Sequence, residues 1–224
     1  MRGIKKKIRD NRYLNWLLII SNWLLQGILN ADVTEKVYRI IFTFTFGCIL
    51  FLLLYSLTTY GLFIAIILSF VIAHTINWLV NGNFFSLLVH RLLMVSLSKK
   101  RLFGYMDSLE KRLLNQNWIL YCAVFGSICK GKLKDSSDID VSIVRKPGFA
   151  NAVKAILFSI KEKKIADIKH IPLEIFVSDT PQDSIRRFAG EDNPVALYDP
   201  DNVIRQFYSI QLSINEARKL NKVE

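Results

Sequence analysis

Two long apolar runs followed by a mixed, soluble-looking stretch predict a two-part protein. The expected architecture is a helical membrane region with two transmembrane helices, then an α+β (α/β) domain with a mixed sheet and flanking helices. Three observations carry this. Ile40–Leu57 and Tyr60–Val80 are uncharged runs of 18 and 21 residues. From Arg101 onward, charged and apolar residues intermix. Within that stretch, short β-branched and aromatic runs alternate with helical patterns.

Each apolar run is long enough to cross a hydrocarbon core about 30 Å thick as a helix rising roughly 1.5 Å per residue. Only Thr58-Thr59 separates them, which predicts a tight helical hairpin. Both runs are hydrophobic all round, and a small soluble domain offers too little apolar surface to cover two such helices. Tyr13–Asn30 differs. At 100° per residue Asn11, Asn15, Asn22 and Gln26 fall on one stripe, with Trp16 and Trp23 among Leu and Ile. That pattern predicts a helix lying in the membrane surface, with a third span as the alternative.

The net charge of +11 is unevenly placed. Residues 1–100 hold 11 Lys/Arg against 3 Asp/Glu, net +8, and residues 101–224 hold 19 against 16, net +3. Anionic lipid and the positive-inside bias account for the first excess, and the small second one disfavours a nucleic-acid partner. With two spans, Lys5-Lys6-Lys7 and Lys99-Lys100-Arg101 both face the cytoplasm, as do both termini and the second domain. The first apolar stretch lacks a small-residue cleavage site, so no cleavable signal peptide is expected. Cys48, Cys122 and Cys129 show no ligand spacing and read as free thiols of a reducing compartment. His74, His90 and His170 are scattered, so no zinc site is expected.

Around the end of the second run, His74, Asn77 and Asn81 share a helix face, with Gly82 and Asn83 adjoining. Such a cluster either binds a headgroup or lines a cavity, or is a polar helix end that caps itself. Phe84–Gln116 is expected to continue as amphipathic helix, with Met106, Leu109 and Leu113 on one face and Asp107 paired to Lys111. The domain boundary is placed at Lys99-Lys100-Arg101.

In the second domain, Trp118–Phe125 reads as a buried strand ending at Gly126-Ser127. The loop ICKGKLKDSS follows, and Asp138–Val144 reads as a second strand. A helix over Phe149–Lys161, strands at Pro172–Val177 and Val195–Tyr198, and a closing helix over Asp201–Asn221 complete it. The strand period of two places Asp138 and Asp140 on one face, opposite Ile139 and Val141.

Two carboxylates so placed can share magnesium, a hard cation that prefers oxygen ligands and is commonly shared with substrate phosphates. A two-metal site would clamp the attacking and leaving oxygens of a phosphoryl centre. Gly126-Ser127 offers backbone N–H groups and a hydroxyl to phosphate, and Lys130, Lys132 and Lys134 can neutralise its charge. Lys132 and Lys134 are equally well read as solvated. A third carboxylate on a neighbouring strand would complete the metal site and can accept a proton. Glu174 is the natural candidate, also readable as an edge-strand charge, and Asp179 the weaker one.

The string FGSICKGKLKDSSDIDVSIV resembles the signature of the DNA polymerase β-type nucleotidyltransferase superfamily, most of all its minimal members. Phe125, Gly126, Ser127, Gly131, Ser137, Asp138, Ile139 and Asp140 match it, and the later VALYDPD (Val195 to Asp201) is similar to the tail of such domains. The resemblance covers roughly Leu102–Tyr208. It implies a nucleotidyltransferase-type sheet, a nucleotide site at Gly126, Ser127, Lys130 and Ser137, and magnesium ligands at Asp138 and Asp140, with Glu174 as third acid by position. The arginine common after Gly-Ser is Ile128 here, and Lys130 supplies a point charge in place of a bidentate fork.

The expected activity is magnesium-dependent transfer of a nucleoside monophosphate from a nucleoside triphosphate such as ATP to an acceptor at the cytoplasmic membrane face, releasing pyrophosphate. The acceptor is a lipid-linked molecule or a protein (AMPylation). The alternative of another class is a membrane-tethered nucleotide-binding or regulatory module without turnover.

Overall fold

The computed structural model describes residues 12–26, 28, 31–57, 61–81, 97–135, 137–191 and 193–223. The chain divides into two compact units, Met1–Phe84 and Phe85–Glu224. This places the division earlier than the expected boundary at Lys99-Lys100-Arg101. The turn at Thr58-Thr59, the Lys5-Lys6-Lys7 cluster, Asn11, Gly82, Asn83, His90 and the first part of the Phe84–Gln116 helix lie outside the described residues.

In the first unit, α1 spans Arg12–Leu25, α2 Val33–Leu57 and α3 Leu62–Asn81. Helix α1 is shorter than the expected Tyr13–Asn30, because Gln26 takes a left-handed backbone (φ 48°) that ends it. Helix α2 starts seven residues before the apolar run at Ile40. Three charges occupy those extra two turns, Glu35, Lys36 and Arg39. Glu35 and Arg39 are buried and pair at 2.5 Å, so neither faces its surroundings alone. Val33–Ser56 and Leu62–Asn81 are both long and apolar enough to cross a membrane. Their large side chains point outward, with Phe44 and Phe63 73% and 75% exposed.

The expected polar stripe of α1 serves α3 at its described positions. Asn22 accepts a hydrogen bond from Trp78 Nε1 (2.7 Å), and Gln26 Nε2 donates to the His74 carbonyl (2.7 Å). His74 Nε2 in turn donates to the Trp23 carbonyl (3.0 Å).

In the second unit, α4 spans Lys99–Leu113, β1 Ile119–Phe125, β2 Ile139–Arg145, α5 Phe149–Ile168, β3 Leu173–Ser178, α6 Pro181–Arg187, β4 Val195–Tyr198 and α7 Ile214–Leu220. The four strands form one mixed sheet in the order β3-β2-β1-β4, with β2 and β3 parallel and β1 antiparallel to both neighbours. One face packs Cys122, Val124, Val141, Ile143 and Ile175 against Met106, Leu109 and Leu113 of α4 and the helices beside it. The other face buries Tyr121, Ala123, Phe125 and Val144 under Phe188, Val203 and Ile204.

Three expectations need correction here. Asp107 pairs with Arg218 of α7 through both carboxylate oxygens (2.8 and 2.7 Å), not with Lys111. Helix α5 runs on to Ile168, beyond Lys161. The closing helix is only Ile214–Leu220, preceded by a 3-10 turn at Ile204–Gln206. Asp199 caps that turn by accepting from the N–H groups of Val203 and Ile204 (2.8 and 3.1 Å). Helix α7 then starts afresh at a capping box between Ser213 and Glu216.

Candidate functional site

The site is built where β1 and β2 meet their loops. Strand β1 is buried along its length and delivers the chain to Gly126. Gly126 adopts φ 92°, a conformation side chains disfavour, and a Cβ built there would lie 3.1 Å from Asp140 Oδ2. Glycine thus lets the turn backbone pass directly beside the Asp140 carboxylate. A 3-10 turn over Ser127–Lys130 follows, with Ser127 half-exposed at its start. Cys129 Sγ is spent on the Val124 carbonyl (3.1 Å), and burial raises its thiol to about 12, so it is no nucleophile.

The far side of this turn is held by α7. Asn221 Nδ2 donates to the Ile128 carbonyl (2.8 Å), and its Oδ1 accepts from Leu133 N–H (3.0 Å). Gly131 is left-handed (φ 64°), and a Cβ there would lie 3.0 Å from the Leu220 carbonyl. The loop is therefore tied at both ends, to Asp140 and to the last helix.

Asp138 is exposed just before β2, and Asp140 lies half-buried on it. Asp140 stands opposite Phe125 across the antiparallel pair and opposite Glu174 across the parallel pair. Residues in lateral register share a face, so Asp140 and Glu174 project from adjacent strands on the same side. Burial, then the charges of Asp138, Glu174 and Glu191, push the Asp140 carboxyl up to about 8. A buried carboxyl shifted so far, with three acids acting on it, makes Asp140 a candidate functional group.

Two of the other expected residues take local partners. Lys130 forms an ion pair with Glu191 (2.7 Å), both side chains partly exposed. Ser137 closes a turn, its hydroxyl accepting from the Lys134 N–H (3.0 Å). Lys132 and Lys134 are exposed. Asp179 pairs with Arg145 at 2.9 Å, at the opposite end of β2 and roughly 16 Å along the strand from Asp140. It therefore has no part in this site.

Glu191 and Asn221 are the site residues that sequence reasoning missed. Glu191 sits in an irregular segment after α6 with no motif around it. Asn221 ends a helix and reaches the loop only through the tertiary fold.

Among the described residues, no three His, Cys, Asp or Glu side chains stand close enough together to hold a metal ion as they are. The chemistry of the donor set still fits a hard divalent cation. It offers only carboxylate oxygens, and a cation would counter the burial and neighbouring charges that hold a proton on Asp140. No protein-family model matches the chain, and no curated protein matches it significantly in sequence.

Proposed function

We propose that this chain is a membrane-anchored, magnesium-dependent nucleotidyltransferase of the DNA polymerase β type, working at the cytoplasmic face. The observation that supports it best is the conjunction at Asp140. Its carboxylate neighbours Glu174 in register, follows Asp138 by two residues and lies against the Gly126-Ser127 turn. Two apolar helices of membrane-spanning length support the anchor.

In this proposal the N–H groups and hydroxyl of the Gly126-Ser127 turn orient the triphosphate. Asp138, Asp140 and Glu174 would hold magnesium, which would supply positive charge to the reacting phosphate. The acceptor oxygen forms a bond to the α-phosphorus. The bond from that phosphorus to the bridging oxygen breaks, and pyrophosphate leaves with its electrons. The acceptor proton passes to Glu174. Positioning and electrostatics carry most of such a reaction.

The second reading, nucleotide binding without turnover, is favoured by the carboxylates' not being gathered as they stand. Pyrophosphate release from ATP, GTP, CTP or UTP, given magnesium and membrane extract, separates the two. Release that Asp138→Asn abolishes supports the transferase. Tight nucleotide binding with no release under any combination supports the module. Orientation is read from single cysteines at Lys6, Thr59 and Lys219. An impermeant thiol reagent on intact cells should reach only the one at Thr59, and labelling at Lys219 would refute the cytoplasmic site.

A further inference from the structure

In the first unit, Ala65, Ser69, Ala73, Asn77 and Asn81 recur every four residues along α3 and are all buried. Small residues allow helices to approach closely, and a Cβ built at Gly47 of α2 would sit 3.9 Å from Ala73 Cβ. Beside this seam lies a cavity of about 500 Å³. That falls within the roughly 300–1,000 Å³ of small-molecule sites.

The cavity runs along α2, with its charged and amide side chains gathered towards one end and Ser69 towards the other. Its wall on α2 repeats every four residues from Arg39 to Phe51, a length of about 18 Å at helical rise. Cys48, Phe51 and Ile66 line the end away from Arg39, and Arg39, Gln26, His74 and Asn77 the other.

Arg39 is the unusual member, only 6% exposed. Its Nη1 donates to the Gln26 carbonyl, and its Nη2 to Glu35 (2.5 Å) and the Asn81 carbonyl (3.3 Å). Asn77 Nδ2 donates to the Arg39 carbonyl (3.1 Å) and Thr43 Oγ1 (2.7 Å), and Asn81 Nδ2 to Asn77 Oδ1 (2.6 Å). Within this satisfied network the Arg39 Nε–H is buried and has no hydrogen-bond partner among the described residues. A buried donor left unpaired is costly and marks a place where an acceptor belongs.

We infer that this cavity binds a membrane lipid with a long apolar chain and a phosphate head. The chain lies along the apolar wall, and a phosphate oxygen accepts from Arg39 Nε–H. Glu35 already balances the Arg39 charge, so the site lacks an acceptor oxygen more than a counter-ion. His74 spends Nε2–H on Trp23. Its Nδ1 can meet a phosphate in either protonation state, as donor when charged and as acceptor of a P–OH when neutral. With both Nη groups engaged, recognition comes down to one charge-assisted hydrogen bond from Nε–H, which an anionic phosphate oxygen accepts more strongly than an ester carbonyl. The inference rests on the membrane part of the proposed function and not on its nucleotide chemistry.

The test is photo-crosslinking of the full chain in phosphatidylcholine nanodiscs, without nucleotide. The probes are a hexadecyl phosphate carrying a diazirine in its chain and the matching alcohol. The phosphate probe should label Thr43, Gly47 or Phe51 about tenfold more than the alcohol does, the scale of one good hydrogen bond. Cys48→Trp, which fills the cavity and leaves the Arg39 network intact, should remove that labelling. The double variant Glu35→Gln, Arg39→Met should equalise the two probes without leaving a bare buried carboxylate. Equal labelling by both probes in the native chain would overturn the inference. So would Cys48→Trp labelled like the native chain, or labelling spread evenly to outward positions such as Phe63. No lipid labelling anywhere on the helices would refute the membrane anchor itself. Pyrophosphate release from the same preparation reports separately on the transferase.

Discussion

The two units place polarity in opposite ways. In the first, Phe44 and Phe63 face outward while Asn77 and Asn81 are 2% and 4% exposed. In the second, Tyr121, Phe125 and Ile143 are inside, and Asp138, Lys132 and Lys134 outside. The inversion is what an apolar solvent would impose on one unit and water on the other. It also separates two uses of charge. Glu35 and Arg39 are paired and hidden, so they hold α2 to its neighbours. Burial and the charges of Asp138, Glu174 and Glu191 all oppose ionisation of Asp140 beside a glycine turn, an effect that a bound cation would offset.

The largest expected effect breaks the paired charge. Arg39→Met leaves Glu35 buried without its partner. Removing one member of such a pair costs about 3–5 kcal/mol. Thermal unfolding in detergent should show the first unit destabilised by that scale. Arg39→Met together with Glu35→Gln should recover most of the loss. A single variant as stable as the native chain would mean that the charges never bore on the packing of α1, α2 and α3.

Crowded charge should behave in the opposite sense. Asp140→Asn should lower turnover on the order of 10²–10³-fold, the scale of removing one electrostatic stabiliser, yet leave the apo fold at least as stable. The pH dependence follows from the same cause. The folded carboxyl titrates near 8, above its ordinary acidic value, so between about pH 4 and 8 the folded state holds a proton that the unfolded state has lost. Stability of the metal-free protein therefore falls as pH rises through that window and levels above it. Magnesium, or Asp140→Asn, should flatten the slope. An unfolding temperature that rises over the window in the metal-free native chain would contradict the crowding.

How much of this was legible depended on the range of the contacts. The strands at Ile119–Phe125 and Ile139–Arg145 show in the sequence because β-branched and aromatic residues there answer to local burial. Period two put Asp138 and Asp140 on one expected strand face, but β2 begins at Ile139, so the strand holds Asp140 alone and its parallel register sets Glu174 beside it. Glu191 and Asn221 had no such cue, since each acts through irregular chain distant in sequence. The start of α2 was misplaced because Glu35 and Arg39 look like the end of an apolar run, and only their pairing makes them tolerable inside it. The polar stripe of α1 was seen, but its described members turn to α3 through Asn22 and Gln26. The break before α7 was readable and overlooked: Ser213–Glu216 carries the spacing of a capping box.

A smaller effect should come from the clasp on the phosphate turn. Asn221→Ala leaves the Leu133 N–H and the Ile128 carbonyl without the partners they have now. An orphaned buried group costs about 1–3 kcal/mol, and part of that should appear as looser nucleotide binding. Expected is a raised KM for nucleotide with a smaller change in kcat, since Asn221 touches the turn and none of the carboxylates. An equal fall in kcat with KM unchanged would move Asn221 into the transition state and refute its role as a loop tie.

The smallest effect tests the lysine that pairs with Glu191. Lys130 pairs with Glu191 at 2.7 Å, with its side chain 42% exposed. A pair so exposed is worth about 0–1 kcal/mol, so Lys130→Gln should scarcely change stability. Its effect on binding depends on what happens when a triphosphate arrives. If phosphate takes Lys130 from Glu191, Lys130→Gln raises KM a few-fold. Glu191→Gln then lowers it, because the lysine is already released and one charge opposing Asp140 is gone. If Glu191 instead joins Asp138, Asp140 and Glu174 around magnesium, Glu191→Gln cuts turnover and raises the magnesium needed for half-maximal rate. The expected outcome is the first, because Glu191 already pairs with Lys130 while Glu174 is the acid in lateral register with Asp140. Magnesium titration of Glu191→Gln beside Lys130→Gln decides it. A shift in the magnesium midpoint for Glu191→Gln would enlarge the cation site to four carboxylates, and an unchanged KM in Lys130→Gln would remove Lys130 from the nucleotide site.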